Sequence, residues 1–311
     1  MSGELLNASD EGRHAAGAED LWGESWYLDW AAADASYGGY VRLGLYPNLD
    51  VAWWWIALVG HDRPLVLVAD HDLKCPDGAA ALNQNAGDTH MAISWPQPFA
   101  SFRVVSEATG IEMADPAEAF RGANGESVPV AIDLEWESRA EPFSYAMATR
   151  YEISSWVRGT VTIGDEVIAI DCAGQRDHSW GVRDWWLFPW NWTSGHLDDG
   201  SYFHAARSII PNLDVFATGY TIEPSGMLTD VDADVHNFVV TDADSLPTSA
   251  QQRIGSIAFA TEPVGHAPIL LIAPDGRETR FPRAMCKYMT EDGRSGTGWT
   301  EYNWPPGWPQ T

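Results

Sequence analysis

Val128-Pro129-Val130-Ala131-Ile132-Asp133-Leu134-Glu135-Trp136 alternates large apolar residues with small, polar or charged ones at every step. A period of two puts Val128, Val130, Ile132, Leu134 and Trp136 on one face of an extended chain, the pattern of a half-buried strand. Outward from it the β character returns in short runs. Met91 to Trp95 and Phe102 to Glu107 precede it, and Arg150 to Gly159, Thr160 to Ile163 and Val167 to Asp171 follow, broken by a Gly164-Asp165 turn. Between them Ala79 to Thr89 reads as a loop, and short helical turns are expected at Pro116 to Phe120 and Pro142 to Met147.

Further upstream, Val41 to Tyr46 and Val51 to Val59 flank Pro47-Asn48-Leu49-Asp50, whose proline and Asx residues are turn chemistry. Trp53, Trp54 and Trp55 in the second arm must point to alternate faces, so either both faces are covered or one meets a ligand cavity. Leu65 to Val68 is a short apolar run, and Asp70-His71-Asp72 after it reads as a loop. Residues up to about Glu19 read as a flexible arm. The turn recurs without a mismatch as Pro211-Asn212-Leu213-Asp214-Val215, 164 residues later, and Trp190 falls on Trp26 at the same offset. Matching flanks favour an internal duplication. The second half continues in short β runs at Val215 to Glu223, Val235 to Val240, Ile254 to Ala260 and Ile269 to Ala273. The expected architecture is all-β, two tandem antiparallel barrel or sandwich domains over 20–164 and 165–311, with 1–19 as the arm. Gly296 to Thr311, rich in proline, reads as an irregular tail.

Composition limits the partners. Acidic residues outnumber basic ones 44 to 18, a formal charge of -26, so nucleic acid and anionic membrane surfaces meet repulsion. No secretory signal opens the chain and no run reaches the roughly 18 apolar residues of a membrane span, so a soluble, cytoplasmic protein without stable membrane insertion is expected. Cys75, Cys172 and Cys286 are odd in number and widely spaced, which fits buried thiols rather than disulfides or a zinc site. Nucleophile elbows, phosphate loops and dinucleotide fingerprints are missing.

Chemistry concentrates in Asp171 to Trp192, DCAGQRDHSWGVRDWWLFPWNW, where Arg176, Asp177, His178 and Arg183 stand beside Trp180, Trp185, Trp186, Trp190 and Trp192. Polar groups among aromatic walls suit a concave site, and an internal ion-pair network suits the same residues. Gly174-Gln175-Arg176-Asp177-His178-Ser179-Trp180-Gly181-Val182-Arg183 resembles the G-x-R-D-H-S-W-G-x-R signature of the hydroxyneurosporene synthase (carotenoid hydratase) and AttH-like family. That family includes a phytoalexin hydratase and fungal pericyclases. The resemblance implies two lipocalin-like β-domains with the ligand between or inside them, and chemistry without metal or organic cofactor. It places the acid-base set on His178, Trp180 and Tyr202, with His204 standing where the family has an aspartate.

Alkene hydration needs an acid, a stabilised cation and a base for water. Asp177, kept protonated by burial, would donate, and His178 would activate water. Trp180 or Trp190 would hold the cation by its π face, Arg176 and Arg183 would orient carboxylates or grip substrate oxygen, and Trp54 and Trp186 would wall the pocket. Tyr202 and His204 share a strand face and complete the catalytic candidates. The expected function is a cofactor-independent hydratase or dehydratase acting on a hydrophobic, isoprenoid-like or polycyclic small molecule. Its rivals are an isomerase or cyclase using the same pocket, and a non-catalytic carrier. A homodimer is the one macromolecular partnership expected.

Overall fold

In a computed structural model, which describes residues 6–78, 82–208, 216–231 and 238–305, the Val128 run lies within a strand, Glu126–Ser138. Its buried positions alternate from Val130 to Trp136 as the sequence dictates. The strands ahead of it are β1 (Trp22–Ala31), β2 (Gly38–Tyr46), β3 (Val51–Val59), β4 (Leu65–Lys74), β5 (Asn83–Ala86), β6 (Thr89–Gln97) and β7 (Ser101–Met113). It is β8, followed by β9 (Phe143–Ser144), β10 (Arg150–Ile163) and β11 (Glu166–Val182). They join antiparallel in the order β4-β3-β2-β1-β11-β10-β8-β7-β6-β5. Leu65 to Leu67 of β4 then pair with Ile111 to Met113 of β7, closing a barrel of the eight strands from β4 round to β7. Closure leaves β5 and β6 as a flap on β7, and side chains fill a barrel of this size. Trp26, Trp30, Trp54 and Trp136 are among those filling it.

The remaining strands are β12 (Trp190–Leu197), β13 (Tyr202–Ser208), β14 (Phe216–Ile222), β15 (Leu228–Val231), β16 (Phe238–Thr241), β17 (Pro247–Ile254) and β18 (Ile257–His266). After a small ribbon of β19 (Ile269–Ile272) and β20 (Glu278–Phe281) come β21 (Arg283–Thr290) and β22 (Ser295–Asn303). The second sheet runs β15-β14-β13-β12-β22-β21-β18-β17-β16. It stacks on the outside of β1, β2 and β3 through one aromatic layer containing Tyr27, Tyr40, Trp53, Trp55, Trp185, Trp192 and Trp299. Polar tips in that layer are matched: Trp299 Nε1 donates to the Trp30 carbonyl at 2.9 Å and Tyr40 Oη to that of Ala267 at 3.0 Å. The three successive tryptophans therefore divide, Trp54 into the barrel and Trp53 and Trp55 into this layer.

Several expectations change. The division near Gly164 falls in the tight turn of the long β10–β11 hairpin, and β11 is bonded to β1 as well, so the signature belongs to the first sheet. The chain passes to the second sheet between Val182 and Trp190. The arm is docked: Asn7 and Asp10 form a reciprocal cap on a 3-10 turn, Ala8–Glu11, and Glu11 is fully buried. Asp70, His71 and Asp72 lie in β4, where His71 Nε2 accepts from Trp55 Nε1 at 2.8 Å. Within Ala79 to Thr89, Asn83–Ala86 pairs with β6, while 79–81 lie outside the described residues. Phe143–Ser144 bridges β10 instead of turning helically, whereas Pro116–Phe120 is a 3-10 turn. The supposed C-terminal tail supplies β22, bonded on both sides, because its prolines all follow Asn303. Pro47–Leu49 makes the first repeat's turn, with Asp50 left-handed at φ 53°, and the second copy, Pro211 to Val215, lies outside the described residues.

Candidate functional site

Strand β11 carries the signature and separates two polar clusters. Alternation sends Arg176, His178 and Trp180 to one face and Asp177 and Ser179 to the other. Register fixes which is which: His178 lies opposite Trp26, a barrel-interior residue, and Asp177 opposite Tyr27 of the intersheet layer.

On the inner face the arm closes one end of the barrel. Glu11 Oε1 accepts from Arg176 Nη1 and from the Tyr151 hydroxyl, both at 2.8 Å. His178 Nδ1 donates to the Asp10 carbonyl at 2.8 Å, and its Nε2 sits 3.0 Å from Glu24 Oε1. His14 places its Nδ1 2.8 Å from the same oxygen and stacks on Trp180 with ring centres 3.8 Å apart. Burial pushes the Glu24 carboxyl up, but hydrogen bonds from His14 and His178 outweigh it and hold the group below its ordinary value. Among the described residues His14, Glu24 and His178 are the set that could hold a cation, with ligand atoms within 4.8 Å of one another. In the structure they satisfy one another and fasten the arm.

On the outer face a cavity of about 470 Å³ opens between the two sheets, in the size range of sites for small organic molecules. Trp185, Leu187, Phe188, Trp190, Trp192 and Phe281 form its apolar wall. Its polar end centres on Arg150, whose Nε donates to Glu152 Oε1 and whose Nη2 donates to Asp177 Oδ2, each at 2.7 Å. Glu152 Oε1 also accepts from Tyr145 at 3.0 Å and from Trp192 Nε1 at 3.1 Å. The Tyr145 hydroxyl reaches His204 Nε2 at 2.6 Å. Burial raises the Asp177 carboxyl to about 7, Arg150 opposing the rise and Glu152 adding to it. Burial also keeps His204 far below the usual imidazole range, with Arg150 reinforcing the effect. Behind the wall, Tyr27 donates to Asp29 Oδ2 at 3.0 Å, and burial lifts Asp29 to about 8 against the hydrogen bonds from Tyr27 and Gln175. The site thus offers a carboxyl that holds a proton near neutrality and an imidazole that is neutral, side by side with aromatic faces.

Of the residues singled out in the sequence, Asp177, Arg183 and Trp190 line this cavity, and His204 stands behind Tyr145, which does. His178 does not: both its ring nitrogens are engaged on the opposite face of β11, so its assignment as water-activating base is corrected. Arg176 is likewise inside, bound to Glu11. Trp180 faces a separate outer cavity of about 500 Å³ beside the arm. Trp54 is barrel core, and Trp186 packs in the intersheet layer with Nε1 on the Leu271 carbonyl at 3.0 Å. Tyr202 is buried against His196 and Tyr220 and is not in the cavity wall. Tyr27, Arg42, Tyr145, Arg150 and Glu152 were missed. Arg150 and Glu152, two apart at the start of a β run, and Arg42, a lone charge inside an apolar one, were the available signals.

An antiparallel barrel carrying a second antiparallel sheet, with an aromatic cleft between them, is an all-β protein of lipocalin-like barrel and sandwich architecture. The chain belongs to the family described as Domain of unknown function (DUF7064), whose model matches residues 7–306. Comparison with curated proteins finds no match. Among solved structures it is similar to a putative AttH (NE1406) from Nitrosomonas europaea, at a TM-score of 0.62 and 16% identity over 97% of this chain and 98% of that one. Kievitone hydratase from Nectria haematococca gives 0.61 and 11% over 91% and 89%. CghA with Sch210972 gives 0.51 and 12% over 91% and 88%. At these identities the likeness is one of fold.

Proposed function

We propose that the protein is a hydratase or dehydratase that works by acid-base chemistry, without an organic cofactor, on a hydrophobic small molecule held between the two sheets. The observation that carries this reading is Asp177 at the cavity wall, raised to about 7 and bonded to Arg150. Asp177 passes its proton to one alkene carbon. The faces of Trp190 and Trp192 hold the cation on the other carbon, their rings fixed by Nε1 hydrogen bonds to Glu301 at 2.8 Å and Glu152 at 3.1 Å. Water adds there, giving its proton to the Tyr145 oxygen as the Tyr145 proton moves to His204 Nε2. His204 gives that proton back through Tyr145 to solvent in the open cavity, and solvent re-protonates Asp177, so that water is the net addition, and the reverse sequence expels it. The fold shared with kievitone hydratase is consistent with this reading.

An isomerase or cyclase is the second reading, favoured by the apolar wall and by the fold shared with CghA, whose structure holds Sch210972. The test is metabolite profiling of apolar extracts incubated in labelled water with wild type and Asp177→Asn. Gain or loss of one water in a compound with wild type alone supports the hydratase reading. A product of unchanged mass supports the isomerase instead, and retention without turnover leaves a carrier.

A further inference from the structure

The cavity carries more cation than its carboxylates neutralise. Five arginines and three carboxylates line it, in a chain whose net charge is -26. Three of the arginines are engaged: Arg150 bridges Asp177 and Glu152, Arg283 pairs with Glu301, and Arg207 has a partner of its own. Arg42 and Arg183 are different. Among the described residues no carboxylate comes within ion-pairing distance of either. Arg42 is 4% exposed, and its Nη1 has no hydrogen-bond partner. Its guanidinium lies 4.5 Å from the Trp55 ring centre and 4.9 Å from that of Trp185, and Arg183 lies 5.3 Å from the same Trp185 ring. Among the described residues the Arg183 side chain makes one hydrogen bond, Nη2 to the Ser179 hydroxyl at 3.0 Å.

A carboxylate that acts on both arginines from a distance, Asp177, is already bonded to Arg150. Burial, then Arg42 itself, holds the neighbouring His71 down to about 4, so this imidazole is neutral. Burial, with Arg150 and Arg42 adding to it, lowers Arg183 to about 10. Gly44 keeps the place open: a Cβ there would stand 2.5 Å from Arg42 Nη1. A buried cation without an anion is costly, and π faces return only part of its lost hydration.

We infer that Arg42 and Arg183, set on Trp185 at one end of the cavity, bind a carboxylate of the ligand, so that the substrate class is an apolar, polycyclic or long-chain carboxylic acid. The apolar body lies along Leu187, Phe188 and Trp190, and the carboxylate accepts charge-assisted hydrogen bonds from the guanidinium groups of Arg42 and Arg183. This rests on the cavity being the ligand site, the reading proposed above, and adds the charged handle.

The test measures binding of pyrenebutyric acid and its methyl ester, followed by energy transfer from the cavity tryptophans, to wild type, Arg42→Gln and Arg183→Gln. The acid binds wild type about tenfold or more tightly than the ester, the gain typical of charged hydrogen bonds. Each variant loses most of that preference, read as the ratio of acid to ester affinity. Equal affinity for acid and ester in wild type overturns the inference and leaves the cavity reading standing, and this comparison does not depend on whether the variants fold. A preference that survives in both folded variants also overturns it. Binding of neither compound overturns the cavity reading together with the inference.

Discussion

At the scale of single residues the two faces of β11 divide the labour. Asp177 is the proton donor proposed for the cavity, so Asp177→Asn is expected to slow turnover by roughly 10²- to 10⁴-fold, as loss of a general acid does. Wild-type turnover by protonation is expected to fall as pH rises through about 7, where Asp177 ionises. A rate profile flat from pH 6 to pH 8 would remove it from that role. Asp29 bears on stability. Its carboxyl is raised to about 8, first by burial, and in the unfolded chain it returns to about 3.9. Between those values the folded state binds the extra proton, so this group costs nothing below about pH 4 and destabilises increasingly up to about pH 8. Asp29→Asn is therefore expected to flatten the loss of stability between pH 5 and pH 9 by at least about 1 kcal/mol, read from denaturant melts at both pH values.

At the scale of elements the N-terminal arm matters most. Its 3-10 turn delivers Glu11 to Arg176, and both side chains are almost wholly buried. Removing one partner leaves a buried charge uncompensated, so Glu11→Gln is expected to cost about 3–5 kcal/mol in urea unfolding. His14→Ala, which loses the stack on Trp180, is expected to free the arm for tryptic cleavage at Arg13 while the barrel stays folded. Neither role could be read from the sequence, because Glu11 and His14 are polar residues in a polar segment and their partners lie more than 150 residues away or across the barrel end. The strand Val128 to Trp136 was legible because one of its faces is dry and the other wet, which writes a period of two into the residues. Strand β22 was obscured by the prolines just beyond it. The separation of Asp177 from His178 was legible, since adjacent strand residues point apart, and the proximity of two chemically apt side chains concealed it.

At the scale of the whole molecule, the cavity exists because two sheets meet through an aromatic layer. Trp299, 1% exposed, reaches from β22 to the Trp30 carbonyl of the barrel. Trp299→Ala is expected to cost about 3–5 kcal/mol and to shift a single calorimetric transition. Two separate transitions would show that the sheets unfold independently. Displaced by 164 residues, β1 to β4 overlap β12 to β15 in order. The barrel's core is packed with four of its own tryptophans, and this has a consequence for laboratory evolution. A library aimed inside the barrel would spend its diversity on folding. Met147, Ala148, Leu187 and Phe188 line the cleft outside every ladder of both sheets, so randomising these four would alter which compounds enter while the scaffold is inherited unchanged.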